Sequence, residues 1–196
     1  MANKTLSILF VGNSYTYYNQ MPEEAFTRLS EAAGYKVAVT SVTCGGYSLS
    51  QFADPENEQG KRLREVINGA HYDYAVLQDQ SVNPIKNEAD FFSGASNLMN
   101  LISADKFILY ATWGRNDGSP TLNELGLTRE EMTKKLSIAY NAVANKLSAR
   151  VAEVGKAFIE YSKTHDKDEL YAPDKSHPSA LGSEIAARVI FEKIFE

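Results

Sequence analysis

The chain has 196 residues, of which 43% are hydrophobic and 23% are charged, and its net charge is −5 at neutral pH. This length suits one domain with a single core, and the composition excludes a disordered or fibrous chain. The apolar runs are strand-sized, which excludes a membrane span. No block of Lys or Arg is present, which excludes a nucleic acid or an anionic membrane as partner, because both are bound through clustered positive charge. We therefore expect a single domain over residues 1–196.

Cysteine and histidine usage gives no sign of a metal or cofactor. Cys44 is the only cysteine, so the chain can form neither an internal disulfide nor a cysteine-based metal site. His71 and His165 lack a second ligand at metal-binding spacing, and we predict no metal and no cofactor. The N-terminal residues show no signal-like segment. The compartment stays open between the cytoplasm and, if an export signal preceded Met1, the periplasm or the outside of the cell. The oligomeric state stays open too.

Short runs rich in β-branched and aromatic residues alternate along the chain with longer amphipathic stretches. The predicted strands, in chain order, are Leu6–Val11, Lys36–Val42, Tyr72–Leu77, Lys106–Thr112 and Arg150–Val154. Each strand is apolar over most of its length without strict alternation, as expected in a parallel sheet that is covered on both faces.

The amphipathic stretches between and after these strands predict helices. The predicted helices are Pro22–Ala33, Glu58–Asn68, Glu88–Ser103, Thr128–Ser148, Lys156–Thr164 and Ser179–Phe195. Regular alternation of strand and helix predicts an α/β sandwich with a parallel five-stranded sheet and right-handed crossovers. Three long loops leave the carboxyl ends of strands, where ligands bind in open parallel sheets; they are Gly12–Met21, Thr43–Asn57 and Trp113–Leu127.

The first candidate functional segment is the turn after the first strand, Gly12-Asn13-Ser14-Tyr15. A serine in this place exposes its hydroxyl at the ligand-binding edge of the sheet. Its backbone N–H lies at the start of the following segment. A nucleophile that also donates to an oxyanion needs both properties. Taken alone, a Gly-Asn-Ser segment after a strand is more often an ordinary turn.

The second segment is Asp174-Lys175-Ser176-His177-Pro178, just before the last predicted helix. A serine hydroxyl needs a base to take its proton, and the imidazole needs a carboxylate to fix its tautomer. Asp and His three residues apart can meet around one turn. Asp174 and His177 are therefore the candidate orienting acid and base for Ser14, although each residue alone fits a turn or a helix flank.

Two further segments offer donors for an oxyanion. Paired glycines in Cys44-Gly45-Gly46-Tyr47 let the backbone approach a ligand closely, and Gly46 is the candidate donor. The polar run Gln78-Asp79-Gln80-Ser81 leaves the third strand, and the side-chain amide of Gln80 is a further candidate. By itself, the glycine pair is more typical of a flexible strand-to-helix turn, and capping of a loop or a hydrogen bond between neighbouring loops explains the polar run at least as well.

In their order along the chain, these four segments resemble the SGNH/GDSL hydrolases. Gly12-Asn13-Ser14-Tyr15 is similar to the Gly-Asp-Ser-Leu block of that family, and Asp174-Lys175-Ser176-His177-Pro178 is similar to its Asp-x-x-His-Pro block. Gly46 resembles the family's oxyanion glycine. The resemblance implies a three-layer α/β/α sandwich of the flavodoxin-like type and ester hydrolysis through an acyl-enzyme.

Two departures from the family pattern concern the site. Asn13 stands where the family has Asp, which keeps a turn-forming side chain and loses the charge. The third block of the family reads Gly-x-Asn-Asp, whereas this chain has Gln78-Asp79-Gln80-Ser81 after the third strand. Gly114-Arg115-Asn116-Asp117 matches that block literally but follows the fourth strand. We prefer Gln80 as the third oxyanion donor and keep Asn116 as the second candidate.

Several further side chains are candidates for the substrate pocket because they lie in the same loops; they are Asn13, Tyr15, Tyr47, Trp113, Arg115 and Asn116. Aromatic faces there either stack on a sugar or acyl group or cover the edge of the sheet. Arg115 either binds an anionic substrate group or pairs with Asp117 or Asp79.

The sequence therefore predicts a serine hydrolase acting on a small-molecule ester. The family resemblance and the aromatic-rich loops favour removal of an acetyl or similarly small acyl group from a carbohydrate. Four alternatives stay open. They are a non-catalytic glycan-binding relative, a lipid or thioester hydrolase with a long apolar groove, an enzyme that uses the same residues to transfer the acyl group to another alcohol, and a flavin-binding protein that cradles phosphate after the first strand.

Overall fold

The fold is built on a parallel sheet of five strands. The computed structural model describes residues 4–195. The strands are β1 (Thr5–Gly12), β2 (Lys36–Thr43), β3 (Tyr72–Leu77), β4 (Ala104–Ala111) and β5 (Arg150–Glu153). They lie in the order β2-β1-β3-β4-β5, and neighbouring strands are all parallel. The predicted strands are confirmed, with ends that differ by two residues at most.

Helical segments connect the strands. The α-helices are α1 (Ser14–Tyr17), α2 (Thr27–Ala32), α3 (Leu49–Ala53), α4 (Glu58–Ile67), α5 (Asn83–Lys86), α6 (Glu88–Leu101), α7 (Pro120–Leu125), α8 (Arg129–Leu147), α9 (Val154–Tyr161) and α10 (Ala180–Phe195). Two 3₁₀ turns, Tyr18–Gln20 and Lys167–Leu170, and one π-helical turn, Met21–Phe26, complete the set. Among residues 4–195, no helix is long and apolar enough to cross a membrane.

The helix predictions hold for the long elements and miss short ones. Helices α1, α3 and α7 fall in the three loops that were predicted as irregular, and α5 falls in a stretch for which no element was predicted. Four to six residues are too few for a helical period to show. The helix predicted from Pro22 is instead a π turn followed by α2. Helix α9 begins at Val154, directly after β5, so the predicted strand end and helix start were both wrong by one or two residues.

The core lies on both faces of the sheet. Alternate residues of β1 point to opposite sides: Leu9 and Val11 are buried with α3, α4, α6 and α8, whereas Ile8 and Phe10 are buried with the π turn, α9 and α10. All four side chains are fully buried. This arrangement confirms the three-layer α/β/α sandwich.

The strand order reverses between β1 and β3, so a crevice opens beyond the carboxyl ends of these two central strands. Gly12 ends β1 at this crevice in a tight turn. A Cβ atom at Gly12 would lie 2.4 Å from Oγ1 of Thr16 and 2.9 Å from Oε1 of Gln78, so only glycine fits. The turn places Ser14 at the mouth of the crevice.

Candidate active site

Asn13 organises the turn that presents Ser14. It caps α1, and its side-chain oxygen accepts a hydrogen bond from the backbone N–H of Tyr15 at 3.1 Å. Its amide nitrogen donates to the carbonyl oxygens of Tyr47 at 3.0 Å and Asp79 at 3.2 Å. A single buried side chain therefore ties together the loops after β1, β2 and β3. The asparagine that departs from the family pattern has a role here that a carboxylate could not fill, because both partners are acceptors.

Gln78 supports the same turn from β3, and the sequence reasoning assigned it no role. Its side chain is fully buried, and Oε1 accepts hydrogen bonds from the backbone N–H of Asn13 and the hydroxyl of Thr16, both at 2.9 Å. Its amide nitrogen donates to the carbonyl oxygen of Asp79. In the sequence, the sign of this supporting role was a polar residue at the end of an otherwise apolar strand.

Asp174 and His177 form a local unit, as their spacing predicts. Oδ1 of Asp174 accepts hydrogen bonds from the backbone N–H groups of Ser176 at 3.0 Å and His177 at 2.9 Å. Oδ2 lies 2.5 Å from Nδ1 of the His177 ring. Partial burial opposes ionisation of Asp174, but the hydrogen bonds from the His177 ring and from these two N–H groups prevail and lower its pKa.

The structure brings this unit to Ser14 although 163 positions separate the two residues. Nε2 of His177 lies 2.8 Å from Oγ of Ser14. The Tyr18 ring stacks on the imidazole with a centroid distance of 4.5 Å and an interplanar angle of 16°. The hydroxyl of Tyr15 lies 2.7 Å from Oγ of Ser176, which holds the loop against α1. The histidine thus faces the serine with its ring held on both sides.

Three of the predicted pocket residues, Tyr47, Trp113 and Asn116, do not line the cavity beside Ser14. Trp113 is fully buried and stacks between Tyr15 at 4.7 Å and Phe158 at 4.4 Å, while its indole N–H donates to the carbonyl of Ser176. Tyr47 packs beside Phe52 with a ring distance of 5.4 Å. The full burial of Trp113 corrects the prediction for this residue, since a large ring gains more from burial in the core than from lining a wet cavity.

The two candidate backbone donors are free to meet a ligand. Ser14 is the first residue of α1, where helical N–H groups lack an intrahelical acceptor. Gly46 adopts a left-handed conformation with φ of 76°, and the turn is closed by a hydrogen bond from the Tyr47 N–H to the Cys44 carbonyl. Within residues 4–195, neither the Ser14 nor the Gly46 N–H has a hydrogen-bond acceptor.

Of the two candidates for the third oxyanion donor, Gln80 lines the cavity beside Ser14 and Asn116 does not. Oε1 of Gln80 accepts hydrogen bonds from the N–H groups of Val82 at 2.8 Å and Asn83 at 3.0 Å, which leaves its amide nitrogen as a donor beside the cavity. Asn116 does not line that cavity. Its amide nitrogen donates to Asp168 at 2.8 Å, and its oxygen accepts from the N–H of the next residue.

Ser14 opens into a cavity of about 510 Å³. Its walls carry the predicted acid, base and donors together with Asn13, Tyr15 and Arg115, and with the further tyrosines Tyr17 and Tyr18. Within residues 4–195, no three His, Cys, Asp or Glu side chains lie close enough to hold a metal ion.

Behind Gln80 lies a buried carboxylate, Asp79, which the sequence offered only as a possible partner of Arg115. Asp79 is fully buried, and its oxygens accept hydrogen bonds from the N–H groups of Leu49 at 2.8 Å and Gln80 at 2.7 Å and from the amide of Asn83 at 2.9 Å. Burial raises its pKa to about 6, although the hydrogen bonds from Asn83, Leu49 and Gln80 oppose the rise. Asp79 therefore fixes the loop after β3, which carries the candidate oxyanion donor Gln80.

Asp79 is expected to make stability depend on pH. Its ordinary pKa is 3.8, whereas the folded protein holds the proton until about pH 6. The stability contributed by the protonated form is complete below the ordinary pKa and is lost as the pH rises through the folded pKa, a change of about 3 kcal/mol. Urea denaturation of wild type and of Asp79→Asn, at several pH values between the ordinary and the folded pKa, measures this change in the free energy of unfolding. The free-energy difference between the two proteins should shift with pH, and a constant difference would contradict the assignment.

Solved structures resemble this chain over nearly its full length. A candidate SGNH hydrolase from Slackia heliotrinireducens is 28% identical, with a TM-score of 0.81 over 96% of this chain and 98% of that one. A lipase/acylhydrolase from Enterococcus faecalis is 20% identical, with a TM-score of 0.74 over 97% and 95%. A carbohydrate acetylesterase family member from Sinorhizobium meliloti is 14% identical, with a TM-score of 0.67 over 97% of both chains. No family model and no curated protein matches the sequence.

The strand order and these likenesses define the class of fold, which is a flavodoxin-like three-layer α/β/α sandwich. Within that class, the chain resembles a candidate SGNH hydrolase over nearly its whole length. The family resemblance that was inferred from the four sequence segments is thus confirmed.

Proposed function

We propose that this protein is a serine esterase that removes a small acyl group, such as acetyl, from a carbohydrate or a similar polar molecule. The observation that carries the proposal is the continuous set of hydrogen-bond contacts from Ser14 to His177 and from His177 to Asp174. This set opens into a cavity with free N–H donors beside the serine.

The first half of the proposed reaction forms an acyl-enzyme. Nε2 of His177 takes the proton of Ser14 as Oγ attacks the ester carbonyl carbon, and the carbonyl electron pair moves onto the oxygen. When the tetrahedral intermediate collapses, the bond to the alcohol oxygen breaks and the imidazolium of His177 protonates that oxygen. Asp174 keeps the proton of the neutral ring on Nδ1 and stabilises the cation.

The second half releases the acid. A water molecule gives a proton to His177 and attacks the acyl carbon. When this second tetrahedral intermediate collapses, the bond from the acyl carbon to Oγ of Ser14 breaks, the imidazolium returns its proton to Oγ, and the carboxylic acid leaves. In both halves the oxyanion would accept hydrogen bonds from the N–H groups of Ser14 and Gly46 and from the side-chain amide of Gln80. Fixed donors in a partly enclosed cavity stabilise such charge better than mobile water does.

Replacing Gln80 by glutamate tests its role as a donor. Gln80→Glu keeps the oxygen that accepts from Val82 and Asn83 but removes the N–H donor, so kcat is expected to fall about 100-fold with little change in Tm. The matched control is Gln51→Glu, because Oε1 of Gln51 also accepts a backbone N–H at a helix start but lies outside the cavity. Full activity of Gln80→Glu towards nitrophenyl esters would remove Gln80 from the oxyanion site.

The walls of the cavity favour a small polar substrate. Beside the serine they carry hydroxyl, amide and guanidinium groups and three tyrosines, whereas a long acyl chain needs an extended apolar groove. Tyrosine faces can stack on a sugar ring while their hydroxyl groups donate and accept hydrogen bonds. The structural likeness to a carbohydrate acetylesterase family member is consistent with this substrate class.

Trapping the acyl-enzyme tests the proposal directly. Wild-type protein is mixed with excess nitrophenyl acetate, quenched in acid within the first turnovers and digested for peptide mass mapping. We expect acetyl on the peptide that contains Ser14 and a burst of nitrophenol that matches the enzyme concentration. The same peptide from His177→Gln should stay unlabelled. Nitrophenol release without any label on Ser14 would contradict the proposed intermediate.

A further inference from the structure

Arg115 brings a positive charge to the proposed active-site cavity, and no carboxylate among residues 4–195 pairs with it. It follows β4 and lines the same cavity as Ser14. Its Nη2 atom donates to Oγ of Ser81 at 3.0 Å, and its buried Nε has no hydrogen-bond partner. In the part of the chain that the structure describes, no Asp or Glu oxygen lies within 4.0 Å of its guanidinium nitrogens.

Both acidic partners that the sequence offered to Arg115 are engaged elsewhere. Asp117 pairs with Lys167 at 3.4 Å. Asp79 is buried among the N–H donors that hold the loop after β3. The remaining carboxylate beside the cavity belongs to Asp174, which pairs with His177. The sequence left three possible partners for Arg115, namely Asp117, Asp79 and an anionic group of the substrate. With both carboxylates engaged elsewhere, the anionic substrate group remains.

The neighbours of Arg115 hold it in place without neutralising it. Ser81 directly follows Gln80, so the hydrogen bond from the guanidinium fixes the arginine beside the candidate oxyanion donor. A partly buried charge with an unmet N–H lowers stability unless a ligand compensates it. Guanidinium groups bind carboxylate and phosphate oxygens through charge-assisted hydrogen bonds.

We propose that Arg115, held by Ser81, forms an anion subsite, and that the preferred ester carries a carboxylate or another charged oxygen group. This inference rests on the proposed esterase function and narrows its substrate class. The charged group belongs either to the alcohol that leaves or to the acyl part that stays on the serine. In both cases the guanidinium binds a negatively charged oxygen group, and the experiment below shows which part of the ester carries it.

Two pairs of matched esters test the subsite. Acetoxybenzoate and neutral acetoxybenzamide differ in charge on the alcohol side. The nitrophenyl half-ester of succinate and neutral nitrophenyl isocaproate differ on the acyl side. Wild type is expected to favour the charged member of one pair by about tenfold or more in kcat/KM. Added salt should reduce this preference, because it screens the charge.

Variants connect the preference to the arginine. Arg115→Gln should bring the ratio of kcat/KM for charged and neutral esters close to one, and Arg115→Lys should retain part of it. Ser81→Ala should lower the ratio as well, since it frees the guanidinium. Arg62→Gln removes an exposed positive charge outside the cavity and should leave the ratio as in wild type. A ratio in Arg115→Gln equal to that of wild type for both pairs overturns the proposal.

A binding measurement separates failure of the subsite from failure of the esterase function. If no ester is hydrolysed above the level of Ser14→Ala, the esterase proposal fails. Calorimetry with hydroxybenzoate and hydroxybenzamide then still tests the subsite. Tighter binding of hydroxybenzoate that is lost in Arg115→Gln supports an anion site, and equal binding of the two compounds overturns it.

Discussion

Replacing Ser14 by alanine is expected to lower kcat for nitrophenyl acetate by about 10⁴-fold or more. The change removes Oγ, which lies 2.8 Å from Nε2 of His177 and belongs to a residue that lines the cavity. Loss of the nucleophile leaves the N–H donors and the imidazole in place, so a small activity through water attack should persist. Because Ser14 is only half-buried at the start of a short helix, Tm should change little.

Ser93→Ala is the matched control for this experiment. Ser93 is exposed on α6, outside the cavity, and its loss should leave both kcat and Tm unaltered. A folded Ser14→Ala protein that hydrolyses short-chain esters as fast as wild type would rule out the acyl-enzyme mechanism. If wild type and Ser14→Ala are equally inactive on a wide panel of esters, the non-catalytic glycan-binding alternative is favoured.

The second large effect is expected for Asp174→Asn, with a fall in kcat of about 10³ to 10⁴-fold. The amide oxygen can still accept from the N–H groups of Ser176 and His177, so the turn should persist. The amide nitrogen then faces Nδ1 of His177 as a donor. The ring must accept there and carries its proton on Nε2, which points at Ser14 and can no longer take a proton from it.

A control for Asp174→Asn uses the same kind of turn at a distance from the cavity. Asp54 is exposed, and its Oδ1 accepts the backbone N–H of Glu56 at 2.9 Å. Asp54→Asn therefore removes one charge from a comparable turn and should keep wild-type kcat. If Asp174→Asn also keeps kcat near the wild-type value while remaining folded, the carboxylate does not orient the base.

Much of the architecture was predictable because its signals are local and repeated. Apolar runs set the five strands, and alternation with long helices set the parallel sheet and its layers. The contact between Asp174 and His177 was predictable for the same reason, since a spacing of three residues lets one turn bring them together.

The remaining features depend on distant parts of the chain, which is why the sequence did not reveal them. Gln78 and Asp79 looked like ordinary polar residues at a strand end, and their roles appear only when three loops converge on them. Trp113 was a reasonable pocket residue until the packing of Tyr15 and Phe158 enclosed it. The partner of Arg115 could not be chosen among three candidates without distances.

The contact between Ser14 and His177 spans 163 positions and has a consequence for how the protein is made. A ribosome completes the strand and turn that carry the serine first, and it reaches the loop with the base only shortly before α10. Under the proposed mechanism, no nascent or truncated chain that ends before this loop can attack an ester. Recovered hydrolysis during refolding would then report that the two ends of the chain have met, a stricter criterion than the return of helical signal.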